Sequence, residues 1–192
     1  MLNLDGLPIL DMSAQIAALP RRKGCLTIPP RTGERWTTFH YSGVIYRDRS
    51  PGAERARVIN EARHHLGKSW SKPGMPPIYG DRYMYDFVVL SDGAIVRTGP
   101  PREFWHCGNT QGNHKSWSVH VMLGKSQELT AAQRGSLFAL FVRIGLPVVA
   151  HCEWPRTSGE PQPSAVYKLL PGQSECPGRG LHAELVKWRG VA

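Results

Sequence analysis

The sequence lacks an apolar run long enough to cross a membrane. Its most apolar stretch, residues 137–150, is interrupted by Arg143 and Pro147 and is shorter than the about 20 apolar residues that a spanning helix needs. The N-terminal residues carry Asp5 and Asp11 where a secretory signal has basic residues. We therefore expect no transmembrane segment, no signal peptide, and synthesis in the cytoplasm.

Cysteine is scarce and internal repeats are absent. The cysteines are too few and too widely spaced for a disulfide scaffold: Cys25, Cys107, Cys152 and Cys176. A chain of 192 residues is long enough for one sizeable core and short for two. We expect a proline-rich and basic N-terminal extension over residues 1–35 and a single domain over residues 36–192.

Acidic residues are fewer than basic residues in this sequence. Lys and Arg total 24 against 15 Asp and Glu, which gives a net charge of +9. This charge favours an anionic partner: nucleic acid, an acidic membrane surface or a bacterial wall that carries anionic polymers. The charge alone does not choose among the three.

Strand and helix signals alternate along the chain. β-formers predict strands over residues 36–41, 83–90, 94–98, 117–123 and 148–152. Helix signals predict one helix from Ser50–Pro51 to Gly67, one from Thr130 to Gly145, one turn around 166–170, and a last helix from Cys176–Pro177 to Trp188. This pattern predicts an α/β protein with a mixed central sheet flanked by helices.

Three side chains are candidates for chemistry because each lies where a predicted element begins or ends. His40 and His151 end strands, and Cys176 precedes the last helix. As the helix N-cap, Cys176 would face the positive end of the helix dipole, which favours a metal-binding thiolate. Two histidines and one cysteine also leave zinc a free coordination position, as catalytic sites require. Their spacing matches no local zinc signature.

Two His-Cys dipeptides, His106-Cys107 and His151-Cys152, suggest a rival site. Adjacent residues of an extended strand point to opposite faces, so the two members of one dipeptide cannot enter the same cleft. We therefore expect the histidines to face the cleft and Cys107 and Cys152 to be core thiols.

Several short motifs together resemble those of the zinc-dependent N-acetylmuramoyl-L-alanine amidases, the superfamily of phage amidase lysozymes and peptidoglycan recognition proteins. They occur in the family's order over about residues 36 to 189: Phe39-His40-Tyr41-Ser42, Tyr85-Asp86-Phe87-Val88-Val89, Ser91-Asp92-Gly93, Trp105-His106-Cys107-Gly108, Asn113 with Ser116-Trp117-Ser118-Val119, Leu129-Thr130-Ala131-Ala132-Gln133, Ala150-His151-Cys152-Glu153 and Cys176-Pro177-Gly178.

The resemblance implies the family's fold and one bound Zn²⁺, with His40, His151 and Cys176 at the positions of the three ligands. It implies that Tyr85 is catalytic, as the tyrosine that contacts the reacting carbonyl or the water. It places Ser174 as the second catalytic residue, where many catalytic members carry a Lys or Thr that helps stabilise the oxyanion. The loop between His151 and Cys176 is longer than usual.

The resemblance also places Trp105, His106 and Asn113 in the substrate cleft. His106 occupies the position of a family histidine that is not a zinc ligand.

Three functions remain open at this point. The first is a zinc amidase that cleaves the bond between N-acetylmuramic acid and L-alanine of the stem peptide, as a monomeric phage endolysin acting on bacterial peptidoglycan. The second is a non-catalytic peptidoglycan-binding protein of the same fold. The third is a basic metal-dependent nuclease, suggested by Asn113-His114-Lys115; the absence of interleaved aromatic and basic residues disfavours nucleic acid as a partner.

Overall fold

The structure is a computed structural model that describes most of the chain. The described residues are 4–25, 30–31, 33–69, 71, 74–80, 83–100, 105–169 and 174–190. None of the helices in these ranges has the length and apolar character that crossing a bilayer requires.

A mixed sheet forms the centre of the described part of the chain. Its six strands are β1 Ile9–Asp11, β2 Trp36–Tyr41, β3 Phe87–Val89, β4 Ile95–Arg97, β5 Ser116–Val121 and β6 Val148–Ala150. Their order across the sheet is β1-β4-β3-β5-β2-β6. The β3–β4 hairpin is antiparallel, and the other neighbouring strands are parallel. The predicted α/β architecture with a mixed sheet is confirmed.

Helices cover both faces of this sheet. They are α1 Ser13–Ala17, α2 Pro51–Gly67, α3 Thr110–Lys115, α4 Ala131–Ile144 and α5 Arg179–Arg189. The predicted caps are confirmed: the Ser50 side chain accepts a hydrogen bond from the Ala53 N–H, and Thr130 forms a capping box with Gln133. Gly145 ends α4 in the left-handed conformation, which glycine adopts without steric cost.

Successive side chains of a strand point to opposite faces of the sheet and therefore pack in different cores. Phe39 packs with residues of α4 and α5, including Leu137 and Leu185, whereas Val88 packs with Val58 of α2. His40 follows Phe39 and therefore points to the α2 face. This alternation determines which face of the sheet carries the candidate site.

The described part of residues 1–35 packs against the domain. Strand β1 pairs in parallel with β4 at the edge of the sheet, and Ile16 of α1 lies in the core beneath α2.

The N-terminal segment also forms a buried ion pair. The Arg31 guanidinium lies 3.0 Å from the Asp86 carboxylate and over the Trp117 ring. The same Asp86 carboxylate accepts hydrogen bonds from the Ser118 N–H and hydroxyl. An ion pair thus links this N-terminal segment to the sheet.

Arg31→Ala is expected to destabilise the fold by about 3–5 kcal/mol, because removing one partner of a buried pair leaves the other charge uncompensated. Denaturant unfolding measures this loss. The control is Arg35→Ala, since Arg35 and Glu160 form an ion pair with both side chains more than half exposed and such pairs contribute about 0–1 kcal/mol. Equal losses for the two variants would contradict the prediction.

The loss of unfolding free energy in Arg31→Ala is also expected to depend on pH. Burial raises the pKa of Asp86 above its ordinary value of 3.8, and Arg31 opposes that rise. Without Arg31 the folded-state pKa rises further, so the neutral carboxyl stabilises the folded state at low pH and that contribution is lost as pH rises. The difference in unfolding free energy between Arg31→Ala and the wild type should therefore shrink as pH falls toward 3.8.

Several predicted boundaries were wrong. The strand predicted over 83–90 is regular only at Phe87–Val89, and the strand predicted over 148–152 ends at Ala150, where a 3-10 turn begins. Helix α3 was not predicted. Residues 166–169 form no helix, and residue 170 lies outside the described ranges.

Candidate metal centre

The candidate metal ligands come together at the carboxyl ends of two neighbouring parallel strands. His40 lies in β2, and Phe39 pairs with Ala150 of β6. His151 directly follows Ala150 as the first residue of the 3-10 turn. The N–H of Cys152 donates to the Cys176 carbonyl over 2.8 Å, which holds the loop before α5 beside both strand ends. The fold thus brings together three residues that lie far apart in the sequence.

The geometry of the three donors fits a zinc ion. One donor atom from each of His40, His151 and Cys176 lies within 4.8 Å of the others. The His40 Nδ1 and Cys176 Sγ atoms are 3.7 Å apart. Zn–N bonds of about 2.0–2.1 Å and a Zn–S bond of about 2.3 Å separate tetrahedral N and S donors by about 3.6 Å. Two imidazoles and one thiolate are also a donor set that zinc prefers.

A chain of hydrogen bonds fixes the tautomer of His40. The His106 Nε2 lies 3.2 Å from the Gly112 carbonyl, which can only accept, so this nitrogen carries the proton of a neutral ring. The His106 Nδ1 then accepts, and His40 Nε2 donates to it over 2.9 Å. His40 therefore presents the lone pair of Nδ1 toward Cys176. Metal-binding histidines commonly have such a partner on the second ring nitrogen.

The backbone also holds the candidate ligand Cys176, and burial sets the protonation of both histidines. The Tyr41 N–H donates to the Cys176 Sγ over 3.3 Å. Burial lowers the pKa of His151 to about 4 and also lowers the pKa of His40. Both imidazoles are therefore neutral at pH 7, the form that binds a metal.

The predicted role of Cys176 as a helix N-cap was wrong. Helix α5 begins at Arg179 with Gly178 as its N-cap, so Cys176 and Pro177 lie before the helix. The predicted lowering of the thiol pKa was wrong as well, since burial raises the pKa of Cys176. The Tyr41 N–H hydrogen bond opposes that rise.

Tyr85 lies beside His40, one of the three candidate ligands. Its ring centroid is 5.1 Å from that of His40 and 4.5 Å from that of His120, with the latter two rings nearly parallel. Burial, followed by the charge of Cys176, raises the pKa of Tyr85. The phenol is therefore protonated at neutral pH and can donate a hydrogen bond.

The remaining predicted site residues differ in their surroundings. Ser174 is half-buried, and its Oγ accepts from the Cys176 N–H over 3.1 Å. His106 is buried against His40. Asn113 is buried, and its Oδ1 accepts from the Cys107 N–H over 3.1 Å. Trp105 is half-buried. Cys107 and Cys152 are buried free thiols, as predicted.

Sequence reasoning missed a group of polar side chains beneath Tyr85. His120 of β5 pairs with His40 of β2 in the parallel register, so both side chains leave the same face of the sheet. Glu61 of α2 accepts hydrogen bonds from the hydroxyls of Tyr46 and Tyr83. Only the position of His120, three residues before the end of the predicted strand 117–123, could have indicated a site residue.

His106→Ala is expected to weaken zinc binding by about 10–100-fold, the usual effect of removing a partner of a metal-binding histidine. Competition with a chromophoric chelator measures the affinity. His106→Asn retains an acceptor oxygen and should lose less. The control is His64→Ala, because His64 is exposed on α2. An unchanged zinc affinity in His106→Ala would contradict the tautomer assignment.

The comparisons with known proteins establish the fold. No protein-family model matches the chain, and no curated protein matches it. Among solved structures, bumblebee peptidoglycan recognition protein SA is similar with a TM-score of 0.66 and 14% identity, covering 94% of each chain. Peptidoglycan recognition protein LE in complex with tracheal cytotoxin, a monomeric diaminopimelic acid-type peptidoglycan, is similar with a TM-score of 0.61, 14% identity and 94% coverage of each chain.

An endolysin is similar as well. The N-acetylmuramoyl-L-alanine amidase LysCS of Clostridium intestinale has a TM-score of 0.54 and 14% identity, covering 96% of this chain and 95% of its own. The matches extend over nearly the whole chain, whereas the identities are low. The chain therefore has the fold that N-acetylmuramoyl-L-alanine amidases share with peptidoglycan recognition proteins.

Proposed function

We propose that this protein is a zinc-dependent N-acetylmuramoyl-L-alanine amidase that cleaves the amide bond between N-acetylmuramic acid and the first L-alanine of the stem peptide. The observation that carries the proposal is the grouping of His40, His151 and Cys176 within 4.8 Å in a fold that known amidases share. A recognition protein needs no such three-donor site.

The donor set supports zinc as the metal. His40 Nδ1, a ring nitrogen of His151 and Cys176 Sγ would hold it, and three protein ligands leave one coordination position for water or substrate. When bound, zinc acts as a Lewis acid and lowers the pKa of coordinated water to about 7.

The residues of this chain would supply orientation and hydrogen bonding. His106 keeps the lone pair of His40 directed at the metal position, and the Tyr41 N–H stabilises a thiolate at Cys176. Tyr85, protonated at neutral pH, would donate a hydrogen bond to the oxyanion that develops on the scissile carbonyl. Ser174 Oγ accepts from the Cys176 N–H, so its own proton is available for a second hydrogen bond to the substrate.

The charge of the chain supports a wall substrate. A net charge of +9 would concentrate a monomeric enzyme on bacterial peptidoglycan and its associated anionic polymers without a separate binding domain. Release into the wall compartment by a phage lysis system would supply the access that an endolysin needs.

Digestion of defined peptidoglycan, followed by mass spectrometry of the fragments, tests the proposal. We expect free stem peptides with new L-alanine N-termini, loss of these products after chelation, and their return when zinc is added. Binding to peptidoglycan without cleavage by the zinc-loaded protein would favour a recognition protein. Metal-dependent nicking of a plasmid in place of wall cleavage would favour a nuclease.

A further inference from the structure

Tyr85 is surrounded by aromatic rings that do not bind the candidate metal. The His120 ring lies parallel to it, with centroids 4.5 Å apart and an interplanar angle of 19°. The Tyr83 ring meets it edge to face at 5.7 Å, and the His65 ring does so at 5.9 Å. His120 is the only one of these three whose ring covers the flat face of Tyr85.

His120 is itself held in place. It is 1% exposed, and its Nε2 lies 2.8 Å from the Ser42 Oγ. Its Nδ1 is buried without a hydrogen-bond partner among the described residues and faces the Glu61 carboxylate at 4.0 Å. A carboxylate on this side favours the tautomer with the proton on Nδ1, so Nε2 accepts from the Ser42 hydroxyl.

Glu61 is fixed in turn by two tyrosines. Tyr46 and Tyr83 donate their hydroxyl protons to its carboxylate over 2.8 and 2.6 Å. The Tyr83 contact joins α2 to the segment that precedes β3, where Tyr85 lies. A fixed orientation of a hydrogen-bond donor contributes strongly to the reaction rate. Displacing the donor by about 1 Å can lower that rate about a hundredfold.

We propose that His120, held by Ser42 and Glu61, is a positioning residue that sets the orientation of the Tyr85 phenol beside His40 of the candidate metal centre. The inference rests on the proposed function, because Tyr85 has a catalytic role only in an amidase. His120 acts through Tyr85 and is not one of the three candidate ligands.

A double-mutant cycle on the zinc-loaded protein tests this proposal. We expect His120→Ala to lower kcat by about a hundredfold with KM and zinc content little changed. In a Tyr85→Phe background the same substitution should cause no further loss, because residues that act through one another are not additive. His120→Phe, which restores an aromatic face, should recover the larger part of kcat.

The controls separate positioning from stability. Thermal unfolding is measured for every variant, and His120→Leu replaces His120→Ala in the cycle if the smaller side chain prevents folding. His64→Ala removes an exposed histidine from the same helix as Glu61 and should retain activity. Equal losses from His120→Ala with and without the Tyr85 hydroxyl would overturn this proposal and leave the amidase function intact. An inactive wild-type protein would overturn both.

Discussion

Replacing Cys176 with serine is expected to remove both the zinc and the amidase activity that we propose for this protein. A serine hydroxyl is a far weaker zinc ligand than a thiolate, and the two histidines alone provide fewer protein ligands than catalytic zinc sites use. The Tyr41 N–H, which donates to the sulfur over 3.3 Å, would remain but has no charge to stabilise. Zinc content measured by mass spectrometry and release of L-alanine N-termini should both fall to background.

The matched control for this substitution is Cys25→Ser. Cys25 is a half-exposed free cysteine in the N-terminal segment and does not belong to the three-donor group. This variant should keep stoichiometric zinc and full activity. Stoichiometric zinc in Cys176→Ser would show that the ligand set is wrong, whatever the activity of that variant.

The fold could be predicted well where local signals are strong. The Ser50–Pro51 start and the Gly67 end of α2, and the capping box of α4 at Thr130, lie where their cap chemistry indicates. Helix α3 was missed because its sequence, TQGNHK, has no apolar periodicity. Its N-cap is the side chain of Asn109, which accepts from the Gly112 N–H. A short polar helix of this kind depends on tertiary contacts, which sequence patterns do not contain.

The grouping of the three candidate donors could be predicted, and the way they are held could not. Strand ends near His40 and His151 are visible in the sequence, and parallel strands present their carboxyl ends to one cleft. The local structure at Cys176 was mistaken, since Cys-Pro resembles a helix start, whereas α5 begins at Arg179 with Gly178 as its N-cap.

The partners of the site residues depend on contacts between distant segments. His106 and His40 are 66 residues apart in sequence, and Arg31 and Asp86 are 55 apart. Neither pair leaves a periodic or local signature. The sequence therefore identifies reactive side chains more readily than the hydrogen bonds that orient them.

Tyr85→Phe is expected to lower kcat by about 10²–10³-fold, the usual loss when one oxyanion donor is removed. The phenol ring would keep its stacking on His120, because the substitution deletes only the hydroxyl. Zinc content should therefore stay at the wild-type value. Since the hydrogen bond to the oxyanion forms only in the transition state, kcat and kcat/KM should fall together while KM changes little.

The control for the loss of a phenolic hydroxyl is Tyr79→Phe. Tyr79 is half-buried beneath the Arg22 guanidinium, 5.7 Å from its ring centroid, and is not among the residues that surround the three candidate ligands. This variant should retain wild-type kinetics. If Tyr85→Phe kept near-normal kcat while Cys176→Ser lost all activity, the oxyanion donor would have to be sought elsewhere in the cleft. Ser174 would then be the first residue to test, because its Oγ accepts from the Cys176 N–H and its proton is free to donate.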